Sequence, residues 1–266
     1  MSAATLFAGA SIALAAGVTG WLLLLRRQLF AADALSHVAF PAALAAALVG
    51  VQARLGLLVC TIVAGLVLAL LGRRSAGKVA DDSTIGVLFT AILAVGLLLQ
   101  TLVDRSSGEG STAATRALFG SLTSLSTGEA VTGGLIALAA ALAAALASRV
   151  LIFSWVTPGM ARAAGVPSQL LEYAFMAILA VVVAVSAQAV GALLLLGLLV
   201  GPAAFARARL ARPGAGIALA ALVAVLASAA GLFASARASS LPASSAIVAA
   251  ASLPYVLLRL RRVRRG

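Results

Sequence analysis

Charge is what this sequence has least of. Of its 266 residues only 10% are Asp, Glu, Lys or Arg, against about 25% in an ordinary soluble domain. That shortage excludes a fully water-exposed globular surface. Cysteine is nearly absent too: Cys60 stands alone in an apolar run, which excludes an intrachain disulfide and reads as a small buried hydrophobe. The start lacks a basic leader. MSAATLFAGASIALAAGVTGWLLLL has no positive n-region, its apolar run is too long for a signal core, and Arg26-Arg27 follows it. It is predicted to be a retained membrane helix. Histidine occurs once, at position 37.

What fills the space is hydrocarbon. Hydrophobic residues make up 63% of the chain and mean hydropathy is +1.17. A window of about 20 apolar residues crosses a bilayer core, and nine such segments can be read, at 6–25, 28–50, 55–71, 84–103, 129–149, 170–186, 189–205, 215–235 and 242–258. The expected class is an all-α polytopic membrane protein of about eight or nine transmembrane helices, forming one domain over 1–266.

If the segments alternate and the C-terminus is cytoplasmic, fifteen basic residues fall inside. These are Arg26, Arg27, Arg73, Arg74, Lys78, Arg149, Arg162, Arg207, Arg209, Arg212, Arg259, Arg261, Arg262, Arg264 and Arg265. Arg54, Arg105, Arg116 and Arg237 fall outside. The net charge of +12 is therefore a positive-inside signal, and no nucleic-acid partner is expected.

Between the spans, residues 104–116 (DRSSGEGSTAATR) read as a flexible outer loop, and 118–129 (LFGSLTSLSTGE) as a short re-entrant or interfacial piece. The connection near Ala187-Gln188 is read as a tight turn or a break in one bent element. The main inner loop, 151–173, is amphipathic. A helix-compatible run from Pro158 to Ala164, closed by Gly165 and Pro167, follows the usual helix punctuation and makes either a docking surface or a plain connector.

Few stretches offer chemistry. GRRSAGKV, 72–79, nearly matches a phosphate-binding loop, but Val79 replaces the magnesium-holding hydroxyl and a membrane helix precedes it, so nucleotide binding is rejected. Any ATP must be bound by another chain. Ser36 adjoins His37, yet neighbours on a helix do not share a face, which removes a hydrolase reading. Gly197 and Gly201, four apart and followed by Pro202, permit close helix packing. Asp33 and His37, also four apart, share a helical face. An oxygen and a nitrogen donor suit Zn²⁺, Mn²⁺ or Fe²⁺, while polar glue between helices and a proton relay stay open.

Together these motifs resemble a known family. ADALSHVAFPAALAAALVG (32–50) looks like the "DALSH…LPG" helix of the ABC-3 permeases, membrane subunits of bacterial zinc, manganese and iron importers. DDSTIGVLFTAILAVGLLL (81–99), LFGSLTSLSTGE (118–129), ARAAGVPSQLLEYAF (161–175) and SAQAVGALLLLGLLVGPAAFARARL (186–210) are similar to further family segments, in order. The resemblance implies a type II ABC importer-like homodimer in the bacterial inner membrane. It implies cytoplasmic ABC ATPase subunits that bind the ATP, an extracytoplasmic metal-binding protein, no resident cofactor and no enzymatic activity of the chain's own. It places the metal path at Asp33 and His37 and ATPase coupling at Pro158, Ala161, Arg162, Gly165 and Pro167. Val156-Thr157-Pro158-Gly159 departs from the family's Phe-Asp-Pro-Glu, and Ala42 replaces its glycine after Pro41. Any second histidine ligand must come from another protomer or a partner. A proton-coupled secondary transporter and an ABC permease for a metal chelate are the rival functions.

Overall fold

A computed structural model describes residues 2–73, 82–106, 118–120, 122, 125–238 and 241–263. The near phosphate-loop motif and the outer loop 104–116 lie mostly outside the described residues. Eleven helices are described: α1 (Ala3–Arg26), α2 (Leu29–His37), α3 (Ala39–Val49), α4 (Ala53–Arg73), α5 (Asp82–Ser106), α6 (Thr127–Val156), α7 (Pro158–Ala163), α8 (Ser168–Val190), α9 (Ala192–Arg209), α10 (Pro213–Arg237) and α11 (Ala243–Val263). Counting α2 and α3 as one segment, nine among the described residues are long and apolar enough to cross a membrane.

Helix is the fold because a bilayer offers backbone groups no water to bond, so each span must satisfy its own. The buried hydroxyls of Thr19 and Ser154 follow the same rule. Thr19 donates to the Ala15 carbonyl at 2.7 Å and Ser154 to that of Leu151 at 2.8 Å. At the exposed start of α6, Ser126 caps the helix while Glu129 bonds back to the Ser126 amide at 2.9 Å, a capping box.

Helix α1 is the centre, packed by α6, α8, α9 and α10. Its neighbours fix direction. Gly9 lies against Leu232 and Gly17 against Ala220, so α1 and α10 are antiparallel. Gly20 lies against Leu199, and Arg207 donates to the Leu24 carbonyl at 2.7 Å, so α1 and α9 run together. The alternation places Arg26, Arg27, Arg162, Arg207, Arg209, Arg212, Arg259 and Arg261 at one end of the bundle, and Arg54, Arg105 and Arg237 at the other.

Two expectations shift. The break near Ala187-Gln188 lies instead at Gly191, where α8 ends and α9 begins. Gly191 has φ 91° and ψ 153°, a region open only to glycine, and a β-carbon there would run into the Leu118 and Phe119 backbone. The inner loop is also shorter than 151–173. Helix α6 continues past Arg149 to Val156 and α8 begins at Ser168, leaving 157–167 with α7 inside it. Of the described residues in the 118–129 piece, Leu122 is buried in the core, and Gly120 (φ 62°) backs onto Gly191.

Candidate metal-path pair and coupling loop

Proline creates the setting of the Asp–His pair. Pro41 has no N–H, so the His37 carbonyl one turn earlier cannot receive the usual helical bond. The chain tightens there: the Val38 amide bonds Leu35 at 3.2 Å, and α3 resumes with Ala42 bonding Val38 at 3.0 Å. Helix α2 is thus a nine-residue piece, packed among α4, α5, α8 and α9.

On α2, His37 Nε2 lies 4.0 Å from Asp33 Oδ1. That is too far for a hydrogen bond but close to the span of two donors on one ion. Ligand atoms about 2.1 Å from a tetrahedral metal stand about 3.4 Å apart, a gap that small rotamer changes would close. The Asp33 side chain is 40% exposed and that of His37 15%. The imidazole meets the Phe89 ring of α5 edge-on, centroids 4.9 Å apart, which orients it. Ser36 donates to the Asp33 carbonyl at 2.7 Å, directing its hydroxyl along the helix. Among the described residues no group of three or more His, Cys, Asp or Glu gathers in one place. One chain therefore offers two donors here, enough for a transient contact and too few for a closed cage.

The coupling candidates sit together in loop 157–167. Pro158 opens α7 as its first residue, where its missing N–H costs nothing. Ala161 is fully buried beneath the helix, while Met160 is exposed. Arg162, also exposed, donates Nε to the Pro158 carbonyl at 3.3 Å. Gly165 turns the chain with φ 73°, its amide reaching the Arg162 carbonyl at 3.0 Å and that of Val166 reaching Ala161 at 2.9 Å. Pro167 is then the N-cap residue of α8.

Gly197, Gly201 and Pro202 lie on α9, far from the pair in sequence, and the two glycines face α11. A β-carbon on Gly197 would fall 2.5 Å from Val248 Cγ1, and one on Gly201 would fall 2.7 Å from the Ala251 carbonyl oxygen. Pro202 is buried within α9.

Sequence reasoning missed a polar cluster beside loop 157–167. Arg26 forms an ion pair with Glu172, and Gln28 and Trp155 complete the group. The signal was present: Glu172 is one of only seven acidic residues and sits inside an apolar span, where an ionisable group implies a partner. A second clamp lies at the opposite end, where Arg54 of α4 bonds Thr132 and the Glu129 carbonyl of α6.

Known proteins share this architecture. The model of the ABC 3 transport family matches residues 1–261. The manganese transport system membrane protein MntC of Halalkalibacterium halodurans is 31% identical over 218 residues, which cover 82% of this chain and 72% of that protein. The structure of PsaBC from Streptococcus pneumoniae in complex with Fab contains a chain that superposes with a TM-score of 0.76 at 25% identity, over 95% of this chain and 88% of that one. A metal-chelate type ABC transporter in an inward-facing conformation shares the fold, with a TM-score of 0.70 at 15% identity over 97% and 86%.

Proposed function

Because this chain belongs to the ABC 3 transport family, we propose that it is the membrane-spanning permease subunit of an ATP-driven importer for divalent metal ions, Mn²⁺ or Zn²⁺ first and Fe²⁺ next. Two copies form the pore, cytoplasmic ABC ATPase subunits bind and hydrolyse the ATP, and an extracytoplasmic metal-binding protein delivers the ion. The assembly sits in the bacterial inner membrane. The arginine-rich end, with loop 157–167 and the C-terminus, faces the cytoplasm, as the positive-inside rule requires.

The observation that carries this reading is the exposure of Asp33. A carboxylate 40% open to its surroundings on a membrane-spanning segment is too costly to face lipid, and such groups line bundle interiors or wet paths. A second protomer or a water-filled path covers it. With His37 at 4.0 Å, an ion passing along that path meets one oxygen and one nitrogen donor. Two donors hold it briefly, and water or the second copy's pair fills the remaining positions.

In this mechanism the binding protein releases the ion into the outer mouth, and Asp33 and His37 take it in exchange for part of its hydration shell. ATP binding at the far side of loop 157–167 then shifts the helices between outward-open and inward-open states. The pair drives that shift only so far as it binds the ion better in one state than the other.

The test is uptake of Mn²⁺, Zn²⁺ and Fe²⁺ into proteoliposomes holding the whole complex, with Asp33→Ala and His37→Ala variants that still assemble with the ATPase. Uptake should fall at least tenfold in each. Undiminished uptake in both would remove the pair from the path.

A further inference from the structure

At the arginine-rich end of the bundle, four helices meet on one ion pair. Arg26, the last residue of α1, pairs with Glu172 in the first turns of α8, and both side chains are largely withdrawn from solvent, 15% and 18% exposed. The same guanidinium lies over the Trp155 ring, 4.8 Å from its centroid. Trp155 closes α6 just before loop 157–167, and its ring meets Phe175 of α8 edge-on at 4.9 Å. Gln28, the residue that opens α2, is buried and donates Nε2 to the second Glu172 oxygen at 3.4 Å. The two ends of loop 157–167 thus converge, through Trp155 and Glu172, on the residues that join α1 to α2.

Helix α2 is bounded at both ends by an irregularity. At its start, Arg27 is the sole non-glycine residue with positive φ (60°) among those described, and the Gln28 amide folds back on the Leu23 carbonyl at 3.2 Å. At its end, the chain tightens at Val38 because Pro41 withholds a bond. Between these points lies a nine-residue helix, and it carries Asp33 and His37.

We propose that the Arg26–Glu172–Gln28 joint is the link by which movement of loop 157–167 reaches the Asp33–His37 pair. The inference rests on the permease reading above and adds to it the residues that convey the motion. When the loop moves, Trp155 and Glu172 move with it. Separating Glu172 from Arg26 would strand two charges away from water, so the pair travels together. Gln28, held to the same carboxylate, draws the start of α2 along. Asp33 and His37 lie one and two turns further on, so a small swing of α2 changes what they present to an ion. Such coupling runs through packed side chains and rigid elements. A simple staple would use the same contacts and leave the movement of α2 unaffected.

The experiment uses the whole complex in proteoliposomes, with Cys60→Ala and a nitroxide label at Phe30→Cys, a position on α2 that is 62% exposed. Electron paramagnetic resonance reads the label before and after ATP trapping, and metal uptake and ATP hydrolysis are measured in parallel. The label should shift on ATP binding, and Glu172→Gln and Gln28→Leu should abolish that shift. Uptake per ATP should fall about fivefold or more, the scale of an ordinary allosteric coupling. Gln28→Leu leaves the ion pair in place, so it decides the matter even where Glu172→Gln fails to assemble. An ATP-dependent shift of the same size in Gln28→Leu as in the parent overturns the joint, whatever the uptake. A shift present in the parent and lost in the variant, without metal uptake by any form, sustains the joint and counts against the permease reading instead.

Discussion

The carbonyl oxygen of Leu199 occupies the space a side chain on Gly20 would need: a β-carbon built on Gly20 falls 2.0 Å from it. Helices α1 and α9 therefore touch backbone to backbone at the middle of the bundle. In lipid, where apolar burial gives helices little reason to associate, such close approach supplies the packing that holds them.

Gly20→Ala is accordingly expected to be severe. The obstructing atom belongs to a helix backbone and cannot rotate aside, so α1 and α9 must part. A loss of about 1–3 kcal/mol or more is the usual scale for overpacking. Thermal unfolding of the purified chain in detergent should show a clear drop in the midpoint, or no folded protein should be recovered.

Pro41→Ala should act in the opposite sense on structure. It restores the N–H that the His37 carbonyl lacks and favours a continuous helix across Val38. Stability should hold or rise modestly, since Pro41 lies in the first turn of α3, where proline is tolerated and its full helix-interior cost does not apply. Metal uptake by the assembled complex should nevertheless fall, because α2 loses its articulation with α3. Uptake unchanged alongside raised stability would show that the interruption is incidental.

Loop 157–167 offers a matched pair of glycines. Both Gly159 and Gly165 have open space around the position of a β-carbon, but only Gly165 has positive φ, at 73°. Gly165→Ala should cost about 1–2 kcal/mol, the left-handed penalty of an L-residue. Gly159→Ala, in the first turn of α7, should be neutral or gain about 0.4–1 kcal/mol. Thermal midpoints of the two variants, measured side by side, check the difference.

Much of the fold was legible because the membrane imposes a simple rule on each span. All nine apolar segments recur as helices, and the Pro158 and Gly165 punctuation marks the ends of α7 within a residue or two. The errors have physical causes. Arg149 looked like a boundary, but an exposed arginine on a long helix can extend its head toward water while its stem stays among apolar groups, so α6 runs on to Val156. The α8–α9 break lies three residues past Gln188, because the chain turns at Gly191, the residue that tolerates φ 91°, and polarity alone does not mark that backbone requirement. At the site, spacing alone put Asp33 and His37 on one face. Nothing in spacing brings Glu172 to Arg26, 146 positions apart in the chain. Only the packing of α8 against α1 does that.

Helix α6 is 30 residues long, about 45 Å at 1.5 Å per residue, while the hydrocarbon layer is about 30 Å thick. Its polar, capped start at Ser126 marks one water boundary, so the surplus emerges at the other end. A helix of about 45 Å that starts at one water boundary reaches about as far as the other, headgroups included, so loop 157–167 sits at the outer edge of the headgroups and not within hydrocarbon. On the permease reading, that level is where a water-side ATPase subunit would meet the loop, and a push there would act along the whole length of α6.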